Sequence, residues 1–310
     1  MISYAWRAGF AADEERELRE MLAAAAAADA EAGFPAVSLD QPCSGGASHL
    51  VVRLLPDDRA GQRGSSPAGA APVAAYLRIE PGPDGGPATA RYVVRPEFRS
   101  RGISTLLVEM LGQDPAAGIT RDVAPLRIWA RGDHPAAQRM ASRFAHLGVR
   151  PARRQWQLLA PLRAESPPGT PAPGAPAPPP RPPGGAAEQA AATALLGSEQ
   201  VPRQPEVLVD GPGVAGAVWY DPHADEHTEY GTAGRIIAVR AAGAASPQIQ
   251  GRLLAAAMAG LHSRGLRVAA ITVDADDPVL ARTCRLLGFQ HDRTDIEYIV
   301  TGQASAEVRR

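Results

Sequence analysis

Residues Tyr92 to Thr105 read YVVRPEFRSRGIST, and the way this stretch folds decides the architecture around it. Tyr92, Val93 and Val94 end a β-rich run, Pro96 breaks it, and from Gly102 onward the pattern turns helical. A strand-to-helix turn made of Arg99, Ser100, Arg101, Gly102, Ile103, Ser104 and Thr105 has two relevant properties. Its small residues let backbone N–H groups approach a phosphate, and the helix N-terminus adds partial positive charge. Arg99 and Arg101 can contribute charge-assisted hydrogen bonds. The plainer reading of the same residues is an arginine-rich turn that caps a helix, and these positions alone do not separate the two.

Working outward, Asp13 can cap a helix that runs to about Ala30, with an acidic first turn suited to the helix dipole. Two β-rich runs follow, His49 to Leu55 and Val73 to Glu80, and the turn PGPDGGP leads into a third, Ala88 to Val94. Beyond the turn come a helix from about Gly102 to Leu111, a strand Leu126 to Ala130, a helix Pro135 to His146 and a strand near Gln155 to Leu162. Antiparallel strands first and a βαβαβ tail afterwards predict an α+β (mixed α/β) domain.

The stretch Glu165 to Gly185, ESPPGTPAPGAPAPPPRPPGG, has too many prolines for a helix or sheet interior. It reads as a semi-rigid linker, with an SH3-type ligand as the alternative. After it the earlier order recurs: strands Glu206 to Val209, Val214 to Tyr220 and Arg235 to Ala241, helix Gln248 to Ser263, strand Arg267 to Val273, helix Pro278 to Leu287 and strand Asp295 to Val300. The expected organisation is therefore a first domain over 1–163, a linker over 164–186 and a shortened second copy over 187–310. That second copy lacks an opening strand, and only Ala186 to Leu196 can supply its first helical region.

Composition narrows the function classes. A chain of 310 residues exceeds what one small core usually organises. All basic side chains are arginine, which with abundant Ala, Gly and Pro reads as the imprint of a GC-rich genome. A formal net charge of -1 argues against nucleic acid and anionic membranes as partners. No apolar run is long enough to span a bilayer, and the acidic residues from Asp13 to Glu20 before Ala23 to Ala28 are wrong for a signal peptide. A cytoplasmic location is expected. The two cysteines, Cys43 and Cys284, make neither a disulfide framework nor a metal quartet.

In its setting, the turn resembles the acetyl-CoA pyrophosphate loop of GNAT acetyltransferases, Q/R-x-x-G-x-G/A. Arg99, Gly102 and Ser104 fall on the defined places, Ser104 standing for the usual Gly or Ala. GNAT domains end in a strand, a helix and a Gly-aromatic or Gly-aliphatic turn. LRIWARGDHPAAQRMASRFAHLGV fits with Leu147-Gly148-Val149, and VAAITVDADDPVLARTCRLLGF repeats the ending with Gly288-Phe289. The segments YAWR, VVRPEFRSRGIST, IWARGDHPAAQRMA and VDADDPVLARTCRLLGF resemble the tandem-domain mycothiol synthase family. The resemblance implies two GNAT domains, with acetyl-CoA as acyl donor bound by the first. It implies no metal, and transfer to the cysteinyl amine of cysteinyl-glucosaminyl-inositol by the second. A monomer acting on a small-molecule amine is expected. The cofactor contacts it implies are Tyr92, Val93, Val94, Arg99, Ser100, Arg101, Gly102, Ile103, Ser104 and Thr105, with a backbone N–H on the strand of Val93 and Val94 polarising the acetyl carbonyl.

The second copy departs from the family pattern. Ser246, Ile249 and Gly251 occupy the three defined loop places, so a β-branched side chain stands for the first glycine, and Pro247 deletes an amide. Where the family places a carboxylate as general base this chain has Arg235, which cannot accept a proton near neutrality. Where it places a tyrosine as acid, this chain has Cys284. These departures leave three functions open: a mycothiol synthase, a GNAT enzyme for another small amine, or an inactive acetyl-CoA-binding sensor. Other residues carry weaker signals. Asp221 to His227, DPHADEH, reads as a polar hairpin loop before it reads as a metal site. His134 reads as a helix cap, Cys43 as an inert thiol, and Trp6, Trp129, Trp156 and Trp219 as core.

Overall fold

A computed structural model describes residues 1–30, 34, 36–40, 46–55, 71–113, 125–163, 179–197, 205–210, 213–228, 230–243 and 246–301. Cys43 and most of the proline-rich stretch lie outside these residues. The chain divides into two compact units, Met1–Arg153 with Ile296–Arg310, and Arg154–Asp295.

In the first unit a strand not foreseen from the sequence, β1 (Ile2–Arg7), pairs antiparallel with β2 (Ser48–Leu54). β2 pairs antiparallel with β3 (Val73–Glu80), and β3 with β4 (Ala88–Val94). β4 then runs parallel to β5 (Leu126–Ala130). Alternation sends the side chains of this sheet to its two faces. Val51, Val73 and Tyr76 meet Leu18, Met21 and Leu22 of helix α1 (Ala12–Asp29). Leu50, Val52, Leu77 and Ala90 meet Ile103, Leu107 and Leu111 of helix α2 (Ile103–Gln113). Helix α3 (Pro135–Arg143) follows β5, begins with a proline at its first turn and has no fully buried residue. The α1 cap expected at Asp13 is instead at Ala11, which makes no side-chain capping bond, and Asp13 lies in the acidic first turn.

The second unit repeats the plan with fewer parts. β7 (Glu206–Asp210), β8 (Gly213–Thr228) and β9 (Gly231–Ala241) are antiparallel neighbours, and β9 runs parallel to β10 (Val268–Asp274). Helices α5 (Pro247–Ser263) and α6 (Pro278–Leu286) cover one face through Leu253, Leu254, Leu261, Leu280 and Cys284. On the alternate residues, Val207 and Ala217 pack on Ala192 of helix α4 (Ala186–Leu196), so that segment does supply the missing first helix. The segment DPHADEH is not a loop. β8 continues through it with a register shift between Asp221, opposite Arg235, and Glu226, opposite Ala233. A bulge keeps both flanks in the ladder, which periodicity in a proline-containing polar run does not reveal.

A strand from the far end of the chain joins the first unit, while the second begins with its own strand. Strand β6 (Val149–Pro161) contributes its later residues to the second unit, where Gln155–Pro161 pair antiparallel with β10. Strand β11 (Gln290–Val300) contributes Ile296–Val300 to the first unit, antiparallel to β5. Both strands bury consecutive residues, Gln157 to Ala160 in β6 and Asp295 to Tyr298 in β11, so local pattern does not choose between the two edges.

Tyr298 pairs with Ile128 and is buried. Tyr298→Ala is therefore expected to cost about 3 kcal/mol, with amide exchange rising in Leu126–Ala130 while α5 stays protected. Hydrogen exchange with mass-spectrometric readout locates the effect. Loss of protection in α5 alone would contradict the assignment of β11 to the first unit.

Candidate functional site

β4 and β5 are in parallel register at Ala88, Thr89 and Ala90, opposite Leu126, Arg127 and Ile128, and then part. β4 stays bonded to β3 on its other side through Val94, opposite Ala75. The amide of Arg95 donates to Ala74 O at 2.9 Å, so by alternation the N–H groups of Tyr92 and Val94 face the parting strands. A cleft of about 1000 Å³ opens there.

The turn after β4 completes the cleft. Gly102 has φ +76° and Ser100 φ +62°, left-handed values that bend the chain into α2. A Cβ at Gly102 would meet nothing within 4 Å, so the glycine is required by backbone conformation and leaves open space before the helix. The Gly102 carbonyl accepts from the Leu106 amide at 3.0 Å. The earlier amides of the first turn have no intrahelical acceptor, so Ile103, Ser104 and Thr105 can present theirs to an anion.

Tyr92, Val93, Val94, Arg99, Ser100, Gly102, Ile103, Ser104 and Thr105 all line this cleft. Arg101 does not line it; its guanidinium lies 5.5 Å from the Phe98 ring centroid. Arg99 lines it but is largely engaged. Its two terminal nitrogens donate to Asp29 at 2.7 and 2.8 Å, and Nε donates to Val94 O at 3.1 Å. The lining also includes Arg91, Arg131, Arg139 and Arg143, which no sequence motif singles out, against the single carboxylate of Asp29. Arg131 lies over Trp129 at 5.1 Å and Arg143 pairs with Glu109 at 2.5 Å. The excess of cations favours a polyanionic ligand. No spacing in the sequence brings these arginines together, because they come from different elements.

His134 is the N-cap of α3, its Nδ1 accepting from the Ala136 amide at 3.1 Å. With Nδ1 accepting, a ring proton sits on Nε2, and His134 serves as the helix cap expected of it. The buried Tyr92 hydroxyl has no well-formed hydrogen bond among the described residues. Burial pushes its pKa up to about 12, with the neighbouring Ser104 hydroxyl pulling the other way. Phe144, four residues before Gly148, stands where the second copy has Cys284 and offers no proton.

The equivalent region of the second unit is filled by its own side chains. β9 and β10 part after Ile236 and Ile271. The Ser246 hydroxyl caps α5 by accepting from the Ile249 amide at 3.4 Å, and Pro247 removes one donor. Ile249 packs on the core, its Cγ2 within 2.8 Å of where a Cβ on Gly216 would lie. Cys284 is fully buried, and its thiol is pushed up to about 12 by burial, with Asp277 adding to the shift. Arg235 is exposed on β9.

No family model matches the chain. It is 30% identical to a mycothiol acetyltransferase from Nocardia farcinica, over 97% of this chain and 99% of that protein. The chain belongs to the mycothiol acetyltransferase family. A second member, from Mycobacterium sp. (strain JLS), is 33% identical over 56% of this chain and 50% of its own length. Among solved structures, a tandem GNAT protein from the clavulanic acid biosynthesis pathway superposes with a TM-score of 0.61 at 15% identity, covering 96% of this chain and 98% of that one. A GCN5-related N-acetyltransferase from Sphaerobacter thermophilus gives 0.59 at 18% identity, covering 96% and 95%. These likenesses establish the GNAT fold. With the family, they make the chain an N-acetyltransferase built on a mixed α/β tandem GNAT fold. No helix among the described residues is long and apolar enough to cross a membrane.

In this member of the mycothiol acetyltransferase family, the buried thiol yields a direct expectation. With its pKa near 12 and no exposed surface, Cys284 should escape alkylation at pH 8 in the folded chain and react fully after denaturation. Peptide mapping after iodoacetamide treatment checks this, and native-state labelling of Cys284 would contradict the burial described.

Proposed function

We propose that the first unit binds acetyl-CoA in the cleft between β4 and β5, and that the chain transfers the acetyl group to a small amine. The observation that carries this reading is the conjunction of parting strands, left-handed Gly102 and the amide-bearing start of α2 at one cleft. The pyrophosphate would lie against the amides of Ile103, Ser104 and Thr105, with arginines of the rim neutralising the remaining charge. The pantetheine arm would run along β4, where Tyr92 and Val94 offer N–H groups that β5 does not use. Such an N–H polarises a thioester carbonyl as the tetrahedral oxyanion forms. The amine nitrogen attacks that carbon, the C–S bond breaks, and the proton leaving nitrogen ends on the thiolate of CoA.

On this reading the acceptor is the cysteinyl amine of cysteinyl-glucosaminyl-inositol, as family membership suggests. The exposed Arg235 and buried Cys284 favour a second reading, in which another small amine is the acceptor. Neither residue supplies the carboxylate base or the hydroxyl acid expected in the second unit. A calorimetric titration with acetyl-CoA, followed by a free-thiol release assay with cysteinyl-glucosaminyl-inositol, separates the readings. One bound acetyl-CoA per chain with turnover supports the first; binding without turnover moves the acceptor to another amine; no binding would sink the proposal.

Two variants sharpen this. Gly102→Val forces a β-branched residue into φ +76°, a strain of at least about 1–2 kcal/mol, and sets a side chain in the space before α2. Acetyl-CoA binding should be lost, and retained affinity would show that the loop is not the site. Ile249→Gly should leave the stoichiometry at one, because Pro247 and the Ser246 cap still block the start of α5. A stoichiometry near two would contradict this account of the second unit.

A further inference from the structure

Most arginines lining the cleft are engaged by the protein itself. Arg91 pairs with Glu80 at 3.7 Å, Arg99 holds Asp29, Arg131 lies over Trp129 and Arg143 meets Glu109. Arg139 differs: it is exposed on α3 and makes no hydrogen bond, ion pair or ring contact among the described residues. It stands one helical turn before Arg143, so the two guanidinium groups share a face of α3. We propose that Arg139, with Arg143 beside it, forms a subsite for the 3′-phosphate of coenzyme A, by which the first unit distinguishes CoA from dephospho-CoA. The inference rests on the reading of the cleft as a CoA site.

The placement of α3 supports it. The Thr105 hydroxyl donates to Met140 Sδ at 3.3 Å, which sets α3 alongside the start of α2. Arg139 and Arg143 flank Met140 along α3 and line the same cleft wall with Ala136. A CoA with its thioester at the β4–β5 gap and its pyrophosphate on the amides of Ile103, Ser104 and Thr105 has its adenosine end past that helix start. There α3 forms the wall. Charge makes the same assignment. The amides of α2 can satisfy the pyrophosphate, but a phosphomonoester carries about two negative charges at pH 7 and needs cations of its own. A planar guanidinium offers such a group two parallel N–H donors. Arg139 has no internal partner to give up before it binds. Arg143 must exchange Glu109, and a largely exposed pair of that kind gives way at little cost. Arg139 is therefore the anchor of the subsite and Arg143 its second cation.

The test is a pair of equilibrium titrations on the full chain, with CoA and with dephospho-CoA, each at low and at high salt. CoA should bind about tenfold more tightly (about 1.4 kcal/mol) at low salt, and the ratio should shrink as salt is added. Arg139→Ala should bring CoA to within about twofold of dephospho-CoA while dephospho-CoA itself moves by no more than about twofold. Its retained binding also reports that the variant folds. Glu109→Gln, which releases Arg143, should widen the ratio, and an unchanged or narrower ratio would strike Arg143 from the subsite. Equal affinities for the two ligands in the unaltered chain would overturn the subsite and leave the cleft standing. A loss shared equally by both ligands in Arg139→Ala would put that arginine on the pyrophosphate or in support of the fold, and overturn the assignment as well. Binding of neither ligand would remove the CoA reading of the cleft itself.

Discussion

β4 and β5 keep parallel register for only three residues before they separate. Within a sheet, a strand that loses a neighbour exposes backbone donors and acceptors that must find other partners. β4 cannot follow β5, because β3 holds it along its other edge as far as Val94. The result is a fixed gap with the amides of Tyr92 and Val94 turned into it. The glycine turn, the open start of α2 and the ring of arginines are all arranged around that gap. It is the feature from which the cleft follows.

The second unit shows that parting strands alone do not make a site. β9 leaves β10 after Ile236 in the same manner, yet the loop beyond is built to close. Ser246 satisfies an amide that would otherwise await an anion, Pro247 removes another, and Ile249 turns inward onto the sheet beside Gly216. Each change exchanges a ligand contact for an internal one. A helix N-terminus can be capped by its own side chain or left for a phosphate, and the two copies take opposite choices.

Much of this architecture is legible in the amino-acid sequence. The strands Val73–Glu80, Ala88–Val94 and Leu126–Ala130 follow from β-branched and aromatic runs between turn residues, and the loop from glycine at a strand-to-helix junction. What the sequence hides depends on contacts between distant residues. β1 alternates Ile2, Tyr4 and Trp6 on the core face with Ser3, Ala5 and Arg7, but six residues are too few to fix a strand without its distant partner β2. The placement of β6 and β11 depends on which sheet edge each strand reaches, and a run of consecutive buried residues marks both. The arginine rim is assembled from β4, α3 and the turns that follow β4 and β5.

Arg99 illustrates how a correctly placed residue can serve differently from its expected use. At the first position of the loop pattern, its charge points to a phosphate contact. In the fold its guanidinium grips both oxygens of Asp29 in the last turn of α1, while Nε holds the carbonyl of Val94. Three of its five N–H donors are thereby committed to the protein. The grip spans the end of α1, the end of β4 and the start of the turn, the three points that must stay in register for Ser100 and Gly102 to hold left-handed backbone. A planar fork suits that task better than a lysine's point charge, because it fixes direction as well as distance. The loop's anion affinity then falls mainly to amides that the helix leaves unpaired, with Arg99 keeping them in place.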